Sequence, residues 1–193
     1  MCARAVIAGI GHTSFGSHPD RLPLSLIVEA TRNALIDATI EKDRIDAVLV
    51  KYPTSKPEVM FGQRIAEALG LQPRIGGVWD QGGAANISLI SYAAMAIEAG
   101  QCEVALVCFA DNPKTGTRQA YQRPRGDDAV FGFMGTLAGY AMIARRHMQQ
   151  FGTSAAGLGA VAVASRKHGA SNPHAQLRKP LTLDAYLSAP PLS

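Results

Sequence analysis

The sequence predicts an α/β fold built on a mixed, mainly parallel sheet, and three observations carry that prediction. Between residues 5 and 110, short apolar runs of strand character alternate with helical periodicities in the order β-α-β-α-β-α-β. The helix expected over residues 84–99 is apolar nearly all round. A Gly82-Gly83 turn marks its start, directly after a strand that ends near Trp79. Alternation of this kind places helices on both faces of a largely parallel sheet.

The elements follow in order. Residues 6–11 read as a short buried strand, and residues 23–39 carry Leu24, Ile27, Val28, Leu35 and Ile36 at helical spacing. Residues 45–50 form the next strand, residues 58–69 the next helix, and residues 77–79 end a third strand. The helix over 84–99 contains Ala85, Ile87, Leu89, Ile90, Ala93 and Ile97, leaving a narrow polar face, so it is expected to be buried between two layers. A strand over 104–109 completes the alternation. Residues 111–128 are rich in Pro, Gly, Arg and Lys and read as a long loop, a length that goes with function or disorder. Helices are expected over 137–150 and from a Thr153 or Ser154 cap to Lys167, with a turn at Asn172-Pro173 and a short segment from Thr182. The division expected is an α/β unit over 1–110 and a loop domain over 111–193.

Composition narrows the function classes. The chain has 193 residues, 47% hydrophobic and 18% charged, ordinary for a globular domain and unlike a disordered or collagenous chain. The net charge of +4 is spread out except at Arg118, Arg123, Arg125 and Arg145-Arg146, and lacks the dense basic face with stacking aromatics of a nucleic-acid binder. Arg145-Arg146, adjacent on a helix, point different ways and read as solvated surface, whereas the loop arginines suit a phosphorylated nucleotide. No apolar run is long enough for a membrane span and no signal core follows Met1, so the cytoplasm is the expected location. Cys2, Cys102 and Cys108 form an odd set without CxxC spacing, and the five histidines show no paired spacing. Neither disulfides nor a metal site are expected.

Several residues allow a sharper and a blander reading. Gly9-x-Gly11 lacks the third glycine of a dinucleotide fingerprint, since Ser14 stands there. Cys108, in an apolar strand, reads as a small core residue, and Cys102, after a helix end, as inert. His12 reads as a turn residue. His168 and His174 flank Asn172-Pro173, where contact with a ligand is the alternative to plain surface. Asp127-Asp128 suit a helix cap better than an acid/base pair. Phe131, Phe133 and Met134 read as loop-domain core or as the lining of an apolar ligand pocket. Gly82-Gly83 reads either as a tight turn for close helix packing or as part of an anion-binding turn.

Four patterns in order resemble one family. Gly9-Ile10-Gly11-His12-Thr13-Ser14-Phe15-Gly16, the turn at Trp79-Asp80-Gln81-Gly82-Gly83-Ala84-Ala85-Asn86, Phe151-Gly152-Thr153 and Ala170-Ser171-Asn172-Pro173-His174-Ala175 are similar to segments of thiolase-like proteins of the sterol-carrier and lipid-transfer branch. The resemblance implies a thiolase-like layered α/β/α half with an inserted loop domain. It further implies that the chain is the N-terminal half, the family's histidine, second-cysteine or tyrosine motifs lying in the other half. In that family a cysteine nucleophile opens the buried helix, where helix-terminal N–H groups lower its pKa. Counting back from Gly100 puts that position at Gly83, so the nucleophile is missing. The backbone N–H groups of Gly83, Ala84 and Ala85 then stand as oxyanion donors at the vacated turn. Arg123, Arg125, Phe131, Phe133, Met134 and His174 are the substrate-binding candidates.

The function so implied is handling of an acyl-CoA, with retro-aldol carbon–carbon cleavage of a β-hydroxyacyl- or ketoacyl-CoA and no acyl-enzyme. Alternatives are a catalytically silent or lipid-binding thiolase-like subunit, and a classical acetyl-CoA acetyltransferase. No cofactor is implied beyond the coenzyme A thioester as substrate. A homodimer and a small zinc-ribbon and OB-fold partner protein are implied as partners.

Overall fold

In the computed structural model, residues 5–113, 115, 126–133 and 135–190 are described. They form two compact units, Met1–Thr117 and Arg118–Ser193. The first unit runs past the expected boundary at residue 110 because Thr115 Oγ1 accepts from His18 N at 2.7 Å and lies 3.1 Å from Ser17 Oγ.

Helix α1 (Pro23–Ala38) is followed by strand β1 (Ala47–Lys51), helix α2 (Phe61–Leu69), strand β2 (Ile75–Trp79), helix α3 (Ala85–Glu98) and strand β3 (Ala105–Cys108). The sheet order is β2-β1-β3 and both pairings are parallel, so among the described residues the sheet is parallel throughout rather than mixed. β1 is central and buried along its length. Its alternation divides the core: Val48 and Val50 pack with Ile27, Phe61 and Ile65 of α1 and α2, while Ala47 meets Ala96 and Leu49 meets Leu89 and Ala93 of α3. The chain leaves β1 for one neighbour and returns past it to the other, which makes the carboxyl ends of these strands a topological switch point.

Two expectations are corrected. Residues 6–11 form no strand. They run extended along α1 with Val6, Ile7 and Ile10 exposed at 79%, 72% and 73%. The cause is the pair Gly9 and Gly11, whose missing side chains let the segment touch helix backbone: a Cβ would lie 2.6 Å from Ala34 O at Gly9 and 2.2 Å from Ala34 N at Gly11. Ile10 N donates to Asp37 Oδ2 and Asn33 Nδ2 to His12 O, both at 2.9 Å. The second correction concerns α3, which is buried on one face only. Ala85, Leu89, Ala93 and Ala96 face the sheet, whereas Ile87 and Met95 are 68% and 58% exposed, because no second layer among the described residues of this unit covers them.

The second unit contains a short 3-10 segment (Gly126–Phe131) and helices α4 (Thr136–Phe151), α5 (Ala155–Ser171) and α6 (Leu183–Leu187). The caps follow from the sequence: Ser154 accepts from Gly157 N and Thr182 from Ala185 N. α6 packs on α5 at Gly159, where a Cβ would lie 2.6 Å from Leu183 Cδ1. Among the described residues no helix is long and apolar enough to cross a membrane.

Candidate functional site

The turn between β2 and α3 is built from Asp80 to Ala85. Gly82 is left-handed (φ 57°), and its N–H donates to Asp80 Oδ1 at 2.9 Å. Gly82–Ala84 form one 3-10 turn, in which Ala84 N donates to Gln81 O at 3.2 Å and Ala85 N to Gly82 O. Two of the three expected oxyanion donors, Ala84 and Ala85, are thus already engaged within the turn. This corrects the expectation of three available donors, because a 3-10 entry consumes N–H groups that an α-helical start leaves unpaired. The Gly83 N–H has no acceptor among the described residues. A Cβ at Gly83 would meet nothing within 4 Å, so packing does not demand a glycine there.

Beside this turn, the carboxyl ends of β1 and β3 are tied together. Asp111 accepts from Thr54 N and Ser55 N, each at 2.9 Å, and from both hydroxyls. Burial alone would raise its pKa, but the hydrogen bonds from Ser55 and Thr54 prevail and hold it below the ordinary value. Buried Asn112 donates to His18 O at 2.7 Å and Arg21 O at 2.9 Å, fixing the loop before α1. Neither residue stood out in the sequence, although Asp-Asn-Pro directly after a strand is a turn signal.

Lys51 ends β1 and is only 9% exposed, with Nζ donating to Tyr52 O at 3.2 Å and lying 4.5 Å from the Phe109 ring centroid. A lysine at a strand end reads as solvated surface in sequence, so the buried position was not foreseen.

Both described thiols are disfavoured as thiolates. Burial pushes Cys108 up to about 12, and burial followed by the Asp46 charge raises Cys102. Of the other candidates, Phe131 is 88% exposed. Phe133 packs over Gly139 and lines a shallow apolar depression with Tyr140 and Ile143. His174 is exposed, its N–H donating to Asn172 Oδ1 at 2.9 Å in the expected turn. His12 stacks on Phe15 at 5.2 Å. Cys2, Arg118, Arg123, Arg125 and Met134 lie outside the described residues. Arg145 and Arg146 border an open concavity of about 1010 Å³ walled, among the described residues, by α4 alone. Among the described residues no group of three His, Cys, Asp or Glu could hold a metal.

No protein-family model matches the chain. It is 33% identical, over 94% of its length, to a steroid side-chain-cleaving aldolase of Thermomonospora curvata, and 32% identical, over 96%, to a 17-hydroxy-3-oxo-4-pregnene-20-carboxyl-CoA lyase of Mycobacterium tuberculosis. It covers 49% and 51% of these two proteins, so it spans about half the length of the curated relatives it matches. A solved Ltp2-ChsH2(DUF35) aldolase superposes on 98% of the chain and 50% of its own, with a TM-score of 0.85 and 31% identity. An SCP2-thiolase-like protein of Mycobacterium smegmatis shares the fold at a TM-score of 0.69 and 18% identity, over 95% of this chain and 39% of its own. The chain therefore has the thiolase-like fold of these lipid-transfer and sterol-carrier-type proteins and corresponds to its N-terminal half.

Proposed function

We propose that this chain serves an acyl-CoA carbon–carbon lyase of aldolase type. What supports the reading is the β2–α3 turn: counting back from Gly100, the resemblance puts the thiolase nucleophile position at Gly83, which carries no side chain, and burial raises the pKa of both described cysteines. A thioester at this turn meets a backbone donor at Gly83 and the positive end of α3 but no nucleophile. Retro-aldol cleavage needs none. A base removes the β-hydroxyl proton, the Cα–Cβ bond breaks as the β-carbon becomes a carbonyl, and the electron pair forms the enolate of the shortened acyl-CoA, which takes a proton at Cα. The aldolase and CoA-lyase relatives support this reading. Coenzyme A enters as substrate, with no other cofactor required. Phe131, Phe133 and His174 remain the substrate-contact candidates among the described residues.

The solved Ltp2-ChsH2(DUF35) aldolase supports a working assembly with a second protein, for which we propose a small zinc-ribbon and OB-fold partner, alongside a homodimer. Reduced thiols suit a cytoplasmic location.

The test is incubation of the purified protein with a β-hydroxyacyl-CoA and, separately, a β-ketoacyl-CoA, followed by chromatography of the thioesters and intact-protein mass spectrometry. We expect a shortened acyl-CoA and a carbonyl product from the first substrate, with no covalent adduct from either. An acyl adduct on Cys102 or Cys108 would restore thiolase chemistry, and binding without cleavage would point to a silent subunit.

A further inference from the structure

We propose that Lys51 is the cationic group that meets the anionic oxygen formed on the acyl end of the bound thioester. The inference rests on the acyl-CoA reading above and adds a residue and a charge to it.

The placement follows from the register. On the face of β1 that α3 covers, Ala47 packs with Ala96, and Leu49 with Ala93 and Leu89. Two strand residues advance about 6.6 Å, which matches four to five residues of helix at about 1.5 Å each. One further step along the same face carries Lys51 to the level of the first turn of α3, beside Ala85 and Asn86. Lys51 is also in register with Trp79, the residue that leads into the Gly82-Gly83 turn. Phe109, one residue beyond the β3 pairing of Val50 with Cys108, flanks it on the other side. The ammonium therefore lies on the central strand, at the switch point, over the Phe109 ring.

Its charge is poorly compensated there. An ammonium has three donors, and the described structure gives this one a single hydrogen bond, to Tyr52 O at 3.2 Å, together with the Phe109 ring face. Among the described residues no carboxylate lies within ion-pairing distance of Lys51. Asp111, the nearest acidic residue in sequence to the end of β3, is occupied by Thr54, Ser55 and the Asn112 N–H. A buried cation left in this state is expensive unless an anion joins it. The first turn of α3 adds a second unsatisfied group, since Asn86 Oδ1 is buried without a hydrogen-bond partner among the described residues. A β-hydroxyacyl thioester supplies both complements: developing negative charge on the thioester oxygen for Lys51, and a hydroxyl donor for Asn86. The helix terminus favours the same charge.

The experiment compares two coenzyme A thioethers by calorimetry, S-carboxymethyl-CoA, whose carboxylate mimics the enolate, and neutral S-acetonyl-CoA of similar size. The wild-type protein should bind the carboxylate at least about tenfold more tightly, the range of a charge-assisted hydrogen bond in a desolvated site. Lys51→Met, which keeps the hydrocarbon stem, should abolish that preference while leaving acetonyl-CoA affinity within about twofold. Lys51→Arg should retain part of it. A wild-type protein without preference, or a Lys51→Met protein that keeps it, would overturn the proposal while leaving the acyl-CoA reading intact. Equal loss of both ligands in Lys51→Met would also overturn it, assigning Lys51 to the fold or to the phosphates. Failure of the wild-type protein to bind either thioether would instead remove the acyl-CoA reading itself, and the proposal with it.

Discussion

Asp46 and Asp111 secure opposite ends of the strand that closes the sheet. Asp46 accepts from Glu103 N and Val104 N at 3.0 and 2.9 Å and from Arg74 at 2.7 Å, fixing the entry to β3, while Asp111 ties its exit to Thr54 and Ser55. Burial pushes both carboxyls upward. Hydrogen bonds from Arg74 and the β3 backbone at Asp46, and from Ser55 and Thr54 at Asp111, more than reverse it, so both titrate below the ordinary range. The sign of the linkage is then fixed. A depressed folded pKa contributes stability that is present above the unfolded value of about 4 and is lost as pH falls through the folded value. Thermal midpoints should be flat between about pH 5 and 7 and drop steeply below about 4. Asp111→Asn should lower the neutral-pH midpoint and flatten the acid slope. An unchanged slope in that variant would remove Asp111 from the linkage.

Helix ends show what the sequence made legible and what it hid. Ser154 and Thr182 cap their helices as their residue types predict. The strand–helix alternation was readable because one face of each element buries apolar residues against β1. The N-terminal segment misled, since a short apolar run looks the same lying on a helix as pairing in a sheet, and only the backbone contact at Gly9 and Gly11 decides between them. Donor occupancy in the Gly82–Ala84 turn was likewise invisible, because residue types do not distinguish a 3-10 entry from an α-helical one. Another hidden feature is left-handed Thr39, at φ 54°, beyond α1. Its N–H reaches Ile36 O, and Ile40 N reaches Leu35 O, the same closing pattern that Gly70 and Leu71 make beyond α2 with Glu67 O and Ala66 O. A β-branched residue in that conformation is strained by about 1–2 kcal/mol, so Thr39→Gly should raise stability by roughly 1 kcal/mol after the added unfolded-state entropy. Chemical denaturation would register this as a higher midpoint at unchanged slope. A lower midpoint would mean that the Thr39 side chain contributes packing that outweighs its strain.

At the scale of the first unit, the sheet explains both the site and its unfinished surroundings. β1 is buried on two sides, yet α3 covers only one face of its layer, and its outer face presents Ile87, Ile90, Tyr92 and Met95, exposed by 68%, 39%, 37% and 58%. Trp79 stacks on Tyr92 at 5.8 Å and extends this surface to the turn that holds Gly83. Val6, Ile7 and Ile10 add a second apolar strip along α1. Contiguous apolar surface of this kind drives association in water. The 193-residue chain in isolation should therefore self-associate at micromolar concentration, seen in sedimentation velocity as species heavier than the 20.4 kDa monomer. Ile87→Lys combined with Met95→Glu should shift the distribution towards monomer without lowering the thermal midpoint, because neither side chain belongs to the buried set of α3. A wild-type chain that sediments as a monomer and unfolds cooperatively would show that this surface tolerates water, and the wet outer face of α3 would then be a property of the native protein rather than a face awaiting cover.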